Sequence, residues 1–251
     1  MEVNLVGMTK PSAYTGCNTA QELVAWAARV SNPSNQNNTE TSGKLIKYLV
    51  KNNHWSPLEM VSIEMEVKTT RDIARQLLRH RSFTFQEYSQ RYADPTKDLD
   101  FVYREARLQD NKNRQNSIKT EDKRLGEEFR SMQNYVKAAA KDAYTWAIGK
   151  KIAKEQARSV LPEGMTESVL IVSGTLRSWV HYCQLRMKNG TQLEHSEIAN
   201  KAWEIIQHHF PDVVSAIDAI NNETIDKDDY VKCWTKLMEL YPDIAQEVLN
   251  A

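Results

Sequence analysis

Val61, Ile63, Met65 and Val67 alternate with Ser62, Glu64, Glu66 and Lys68, a period of two that predicts a half-buried strand. Thr69 or Thr70 then stands where a helix cap belongs, because Ile73, Ala74, Leu77 and Leu78 recur at helical spacing. That helix is expected to end on Arg79-His80-Arg81, and the aromatic and hydroxyl-rich SFTFQEYSQRY reads as an extended or looped segment. Elsewhere the pattern is mostly helical. Thr19 with Glu22 forms a capping-box pattern opening TAQELVAWAARV, and GKLIKYLVKN fits a second helix. The polar SNPSNQNNTETSG between them (residues 31–43) reads as a mobile surface loop. Residues 94–123 are again polar, with only Phe101, Val102 and Tyr103 hinting at a strand, and read as an excursion from the domain. A long helical pattern covers residues 123–160, broken near Gly149 and stopped before Pro162. Residues 169–172 read as a buried strand. Two more helices follow over 176–187 and 193–209, the second opened by a capping box of Thr191 and Glu194, and residues 211–251 form an amphipathic helical extension. Few strands against many helices predict the α+β class, a small sheet with helices packed on it.

A chain of 251 residues can bury roughly 70 to 75% of its unfolded surface, so a single domain is expected over residues 1–251, with two as the alternative. Thirty-three basic residues balance thirty-three acidic ones, which removes a global field for nucleic acid but leaves a local patch open. Cys17, Cys183 and Cys233 are few, odd in number and widely separated, so neither a disulfide framework nor a metal site is expected. A reducing compartment follows, the cytoplasm of a bacterium or of an infected host if the chain is viral. No apolar run approaches eighteen residues, so neither a secretory signal nor a membrane span is expected.

The concentrated chemistry lies in RHRSFTFQEYSQRY: Arg79, His80 and Arg81, seven residues, then Ser89, one residue, Arg91. Three readings fit the composition. The cations can complement a helix dipole; mixed with Phe83, Phe85, Tyr88 and Tyr92 they can mark nucleic-acid binding; or they can hold small phosphorylated ligands. On a helix Gln76 and Arg79 share a face while Arg79 and Arg81 point about 200° apart, so the tripeptide could reach two ligands.

The ordered spacing resembles the signature of the flavin-dependent thymidylate synthases. The likeness runs from about residue 19 to 210 and includes HWSPLEM, ARSVLP and TLRSWVHYCQLR. It implies a small mixed sheet flanked by long helices, assembled as a homotetramer with flavin sites between subunits. It also implies conversion of dUMP to dTMP, with methylenetetrahydrofolate giving the carbon and reduced FAD, regenerated by NADPH, giving the hydride. Nucleic acid and membrane are not among the partners expected.

Carried over by resemblance, Gln76, Leu77, Leu78, Arg79, Glu87, Tyr88, Ser89, Gln90, Arg91, Arg158 and Arg186 match dUMP-binding positions. Guanidinium forks suit a phosphate, and amides or hydroxyls complete its hydrogen bonds. Arg186 matches the arginine that stabilises the ionised pyrimidine and is the expected catalytic group. Without the resemblance, Arg158 reads as a helix C-terminal cation and Arg186 as a solvated arginine. Ser56, Arg79, His80, Arg81, Glu87, Thr175, Arg177 and His181 match flavin positions, and His54 resembles a histidine near the folate and flavin rings. Arg177 and His181 share a helical face, with Thr175 near that helix start aiming backbone N–H groups at an anion. No cysteine sits in a nucleophile-like setting, so reducing power and activation must come from a cofactor and from electrostatics. Thr84 and Gln86 replace the commoner serine and asparagine, and Gly190 stands where some members have a flavin histidine, so Gly190 and Gln192 are left unassigned.

Overall fold

The alternating stretch forms one of two inner strands of a four-stranded sheet in a computed structural model that describes residues 1–221 and Thr235. Cys233 and most of the expected C-terminal extension lie outside the described residues. In chain order the elements are β1 (Glu2–Met8), α1 (Ala20–Ala28), α2 (Ser42–Lys51), β2 (Ser62–Thr70), α3 (Arg71–Leu77), β3 (Thr84–Glu87) and α4 (Pro95–Asp98). There follow β4 (Arg107–Gln109), β5 (Ser117–Lys119), α5 (Lys123–Gly149), α6 (Lys154–Ala157), β6 (Glu167–Thr175), α7 (Leu176–Arg186) and α8 (Leu193–His209). Residues 211–221 are helical. The described residues gather into two compact units, one from residues 1–11 and 58–206, the other from residues 12–57 and the described residues after Ile206.

In the first unit the strand order is β1-β2-β6-β3 and every pairing is antiparallel. This corrects the mixed sheet that the resemblance implies. The physical reason was already in β2: alternation with one covered face is the mark of antiparallel strands, whereas parallel strands are buried on both faces. Ile63, Met65 and Val67 are buried on β2, with Met65 opposite Val172 and Val67 opposite Leu170 on β6. Each such side chain contributes about 1.5–3 kcal/mol on burial. On the other face Ser173 Oγ donates to Glu64 Oε1 at 2.9 Å.

Helix α7 docks by Trp179, fully buried, whose Nε1–H donates to the Ile63 carbonyl at 3.0 Å. Gly174 lets this happen. A Cβ there would lie 2.3 Å from Phe83 Cδ1, so only glycine admits the Phe83 ring, which sits 4.5 Å from the Trp179 ring. Phe83 is therefore a core residue and not a stacking platform for nucleic acid.

Strand β2 runs directly into α3 with Thr70 at the N-cap, but its hydroxyl makes no cap bond and instead accepts from Arg104 Nη2 at 2.6 Å. Helix α3 stops at Leu77, and the His80 N–H returns to the Leu77 carbonyl at 3.0 Å. Arg79-His80-Arg81 thus follows the helix in a turn, and the expected helical geometry of the tripeptide does not hold. The polar excursion is tied down. Phe101 bridges Thr166, and the Gln133 side-chain amide accepts from the Arg104 N–H (2.8 Å) and donates to the Arg104 carbonyl (3.0 Å), standing in for a strand partner. The β4–β5 hairpin within it carries no alternating pattern long enough to read. Helix α5 ends at Gly149, where the break was expected, and its Tyr144 and Ala147 pack with Phe101, Ala157, Leu161 and Met165.

In the second unit the Thr19–Glu22 capping box forms as expected. The expected loop over residues 31–43 is held at two points. Arg29, 6% exposed, donates through Nη2 to Thr41 Oγ1 at 2.8 Å and through Nη1 to the Asn38 carbonyl. No described helix is long and apolar enough to cross a membrane.

Candidate functional site

The turn after α3 and the C-terminal end of α7 bring His80 to Arg186. Arg186 Nε donates to His80 Nε2 at 3.0 Å, so that nitrogen carries a lone pair and the neutral ring holds its proton on Nδ1. Burial, then the Arg186 and Arg79 cations, lower His80 to about 4. The Tyr182 ring stands edge-on to His80 at 4.9 Å. Arg186 is thus aimed by a neutral imidazole, which orients the guanidinium without cancelling its charge. Next to this pair, Gln76 Nε2 donates to Gln192 Oε1 at 2.7 Å, and Gln76 Oε1 lies 3.2 Å from His195 Nδ1. His195 is fully buried, and burial followed by Arg186 and His80 lowers it to about 3. Leu77 is a core residue, which leaves only its backbone for a nucleotide; Leu78 is half-buried.

A second group forms where β3 leaves the sheet. Glu87 Oε1 accepts from Ser168 Oγ (2.8 Å) and pairs with Arg71 Nη1 (3.2 Å), so its carboxylate is engaged within its own chain. Tyr88 donates to Asp98 Oδ2 at 2.8 Å, and burial followed by that bond pushes its pKa up. Ser89 and Arg91 are exposed; Gln90 is buried with an unpartnered Nε2. Arg91 Nη2 lies 3.5 Å from Glu155 Oε2, while Arg158 Nε donates to the Glu155 carbonyl at 3.4 Å, so one residue of α6 collects both arginines. An exposed pair such as Arg91–Glu155 contributes about 0–1 kcal/mol and yields readily to a phosphate. Arg79 and Arg81 are exposed too, and no carboxylate among the described residues pairs with them.

A third group surrounds the start of α7. Thr175 is the N-cap, and its hydroxyl accepts from the Ser178 N–H at 3.2 Å, so one of the N–H groups expected to face an anion is already used. Arg177 Nη1 donates to Glu59 Oε1 at 2.6 Å. His181, one turn further, is exposed at the surface, and partial desolvation followed by Arg177 lowers its pKa. His54 and Ser56 are exposed residues of the second unit.

Cys183 is fully buried on α7 and burial pushes its thiol up, which excludes it as a thiolate nucleophile at neutral pH. Cys17 is half-buried, with its Sγ 3.8 Å from the Thr15 carbonyl. The donor set fits a phosphorylated flavin. Exposed guanidiniums without a competing carboxylate among the described residues, at Arg79 and Arg81, are what a pyrophosphate needs, whereas Arg177 would have to leave Glu59. The sequence reading missed Gln192, Glu194, His195 and Arg104. Glu194 directs its carboxylate to Arg104 and Arg107 instead of closing the expected capping box with Thr191. The signal available for His195 was its place on the apolar stripe of α8, in line with Ile198, Ala199, Ala202 and Ile206.

Residues 13–212 match the family described as thymidylate synthase complementing protein. A probable flavin-dependent thymidylate synthase of Paramecium bursaria Chlorella virus 1 is 45% identical over 218 residues, 87% of this chain and 99% of the relative. A flavin-dependent thymidylate synthase of Synechocystis is 42% identical, covering 87% of this chain and all of the relative. Among solved structures, a UMP/dUMP methylase from Streptomyces cacaoi bound with 5-Br dUMP superposes with a TM-score of 0.73 at 25% identity, over 87% of this chain and 94% of that one. With the family match covering most of its length and two relatives this similar along theirs, the chain belongs to the family of flavin-dependent thymidylate synthases.

Proposed function

We infer that this chain methylates dUMP to dTMP, drawing the carbon from methylenetetrahydrofolate and the reducing power from NADPH by way of bound FAD. The observation that carries the reading is the Arg186–His80 pair: a fixed cation, oriented by a neutral base, on a helix whose Cys183 is a buried thiol. A flavin bound there would supply the hydride, which no amino-acid side chain can donate. Arg186 stabilises negative charge developing on the pyrimidine, and His80, by accepting at Nε2, leaves the Nη edge of that guanidinium for the ring. Arg79, Arg91 and Arg158 bind the nucleotide phosphate, with Ser89 Oγ and the Gln90 amide completing its hydrogen bonds; Gln76 offers its amide to the rest of the nucleotide, and Leu77, Leu78 and Tyr88 are further candidate contacts. Arg79, Arg81, Thr175 and Arg177 hold the flavin phosphates; Ser56, His54, Glu87 and His181 are the candidates for its remaining polar groups.

Homotetramer assembly completes this reading. One chain presents its candidate ligands in three groups on different elements, and the family match runs through both compact units, in keeping with one family domain. The first test is spectroscopic and chemical: the purified chain should show a flavin absorbance, as isolated or after adding FAD, and form dTMP only when dUMP, methylenetetrahydrofolate and NADPH are all supplied. A colourless protein that binds no FAD would overturn the assignment.

A further inference from the structure

Six residues outside the signature, Arg104, Arg107, Glu194, Gln192, Gln76 and His195, form a chain of hydrogen bonds in which each step dictates the sense of the next. Glu194 lies against Arg107 Nη2 and 2.9 Å from Arg104 Nη1. Burial opposes its ionisation, but its own backbone N–H, the two arginines and Gln192 hold its carboxyl below the usual range. An ionised carboxylate only accepts. The Gln192 atom 3.0 Å from Glu194 Oε2 must therefore be Nε2, which turns Gln192 Oε1 toward Gln76. The Gln76 atom 2.7 Å from that oxygen must in turn be Nε2, which leaves Gln76 Oε1 facing His195 Nδ1 at 3.2 Å. An amide oxygen also only accepts, so His195 must carry its proton on Nδ1. His195 Nε2 is then the lone-pair nitrogen, buried and without a partner among the described residues.

We propose that His195 is a positioning residue of the nucleotide site, locking the Gln76 amide, together with Gln192, so that it offers dUMP one fixed donor and one fixed acceptor. The inference rests on the reading of Gln76 as a dUMP-binding residue. An amide free to rotate presents either end and must be ordered on binding; one held from both sides arrives ordered, which improves affinity and leaves the chemical step alone. Gln76 keeps one N–H and one oxygen lone pair for the ligand, since each of its ends spends only part of its capacity on Gln192 and His195.

The test uses the flavin-loaded chain and two variants. His195→Leu, which removes the donor, should raise the KM for dUMP about tenfold, one hydrogen bond's worth, with kcat changed by less than about threefold. His195→Asn, whose side-chain N–H can replace Nδ1–H, should return KM to within about threefold of the parent. An unchanged KM in His195→Leu, a loss confined to kcat, or an asparagine variant as impaired as the leucine one would overturn the proposal. Nitrogen-15 NMR of the His195 imidazole reads the relay without any turnover: the Nδ1–H tautomer is expected, and an Nε2–H tautomer would overturn it. A parent chain that carries Nδ1–H yet fails to turn over dUMP would uphold the relay and defeat the assigned reaction instead.

Discussion

Ser89 and Arg186 separate binding from chemistry at the level of single side chains. Ser89 is exposed, and the two bases of its segment are occupied elsewhere: Glu87 is engaged by Arg71 and Ser168, and His80 by Arg186. Removing one hydrogen bond to a phosphate costs roughly 1.5 to 3 kcal/mol, so Ser89→Ala should raise the KM for dUMP about ten- to a hundredfold and keep turnover at saturation. Arg186→Ala should instead lower kcat by about a hundred- to a thousandfold, as loss of one electrostatic stabiliser does elsewhere. Steady-state kinetics on flavin-loaded variants checks both. An inactive Ser89→Ala at saturating dUMP, with flavin reduction intact, would revive covalent catalysis. At this scale the sequence named most of the candidate cations but not their partners. Glu87 looked like a free ligand because Arg71 and Ser168 are 16 and 81 residues away in the chain. Glu194 and His195 were invisible because the hydrogen bonds that give them meaning arise only when α3, α7, α8 and the excursion meet.

Helices α7 and α8 hold two histidines neutral, and this sets an acid limit on the fold. His80 and His195 sit at about 4 and about 3, below the ordinary value near 6.5 that the unfolded chain regains. As pH falls below about 6.5 the unfolded state takes up protons that the folded state refuses, so stability declines, by up to about 1.4 kcal/mol per pH unit for each histidine, until the folded pKa is reached. Above that window these groups contribute no slope. Denaturant midpoints from pH 7 to 4.5 should therefore fall, and His195→Asn should fall less steeply than the parent. Parallel slopes would contradict the buried neutral histidine. Elements with strong periodicity, such as β2, α8 and the first turn of α1, were legible in the sequence. The β4–β5 hairpin and the turn at Arg79 were not, because three-residue strands carry no pattern and α3 is ended by a local backbone turn instead of by glycine or proline.

For the whole molecule, the proposed homotetramer makes sharing of the three ligand groups between copies a testable expectation. Mixing an Arg81→Ala chain with an Arg186→Ala chain, each impaired alone, should raise the activity above that of either after subunit exchange if sites are shared between copies. No recovery after verified exchange would leave each site within one chain. The central claim is that the reaction needs no thiol. Cys183 is sealed in the core with its thiol pushed up, and Cys17 lies beside the Thr15 backbone carbonyl. The most direct measurement is dTMP formation by a chain carrying Cys17→Ser, Cys183→Ala and Cys233→Ser, shown first to be folded and flavin-loaded. Turnover that persists and still requires FAD is the predicted result; complete loss of dTMP in that protein would contradict the account.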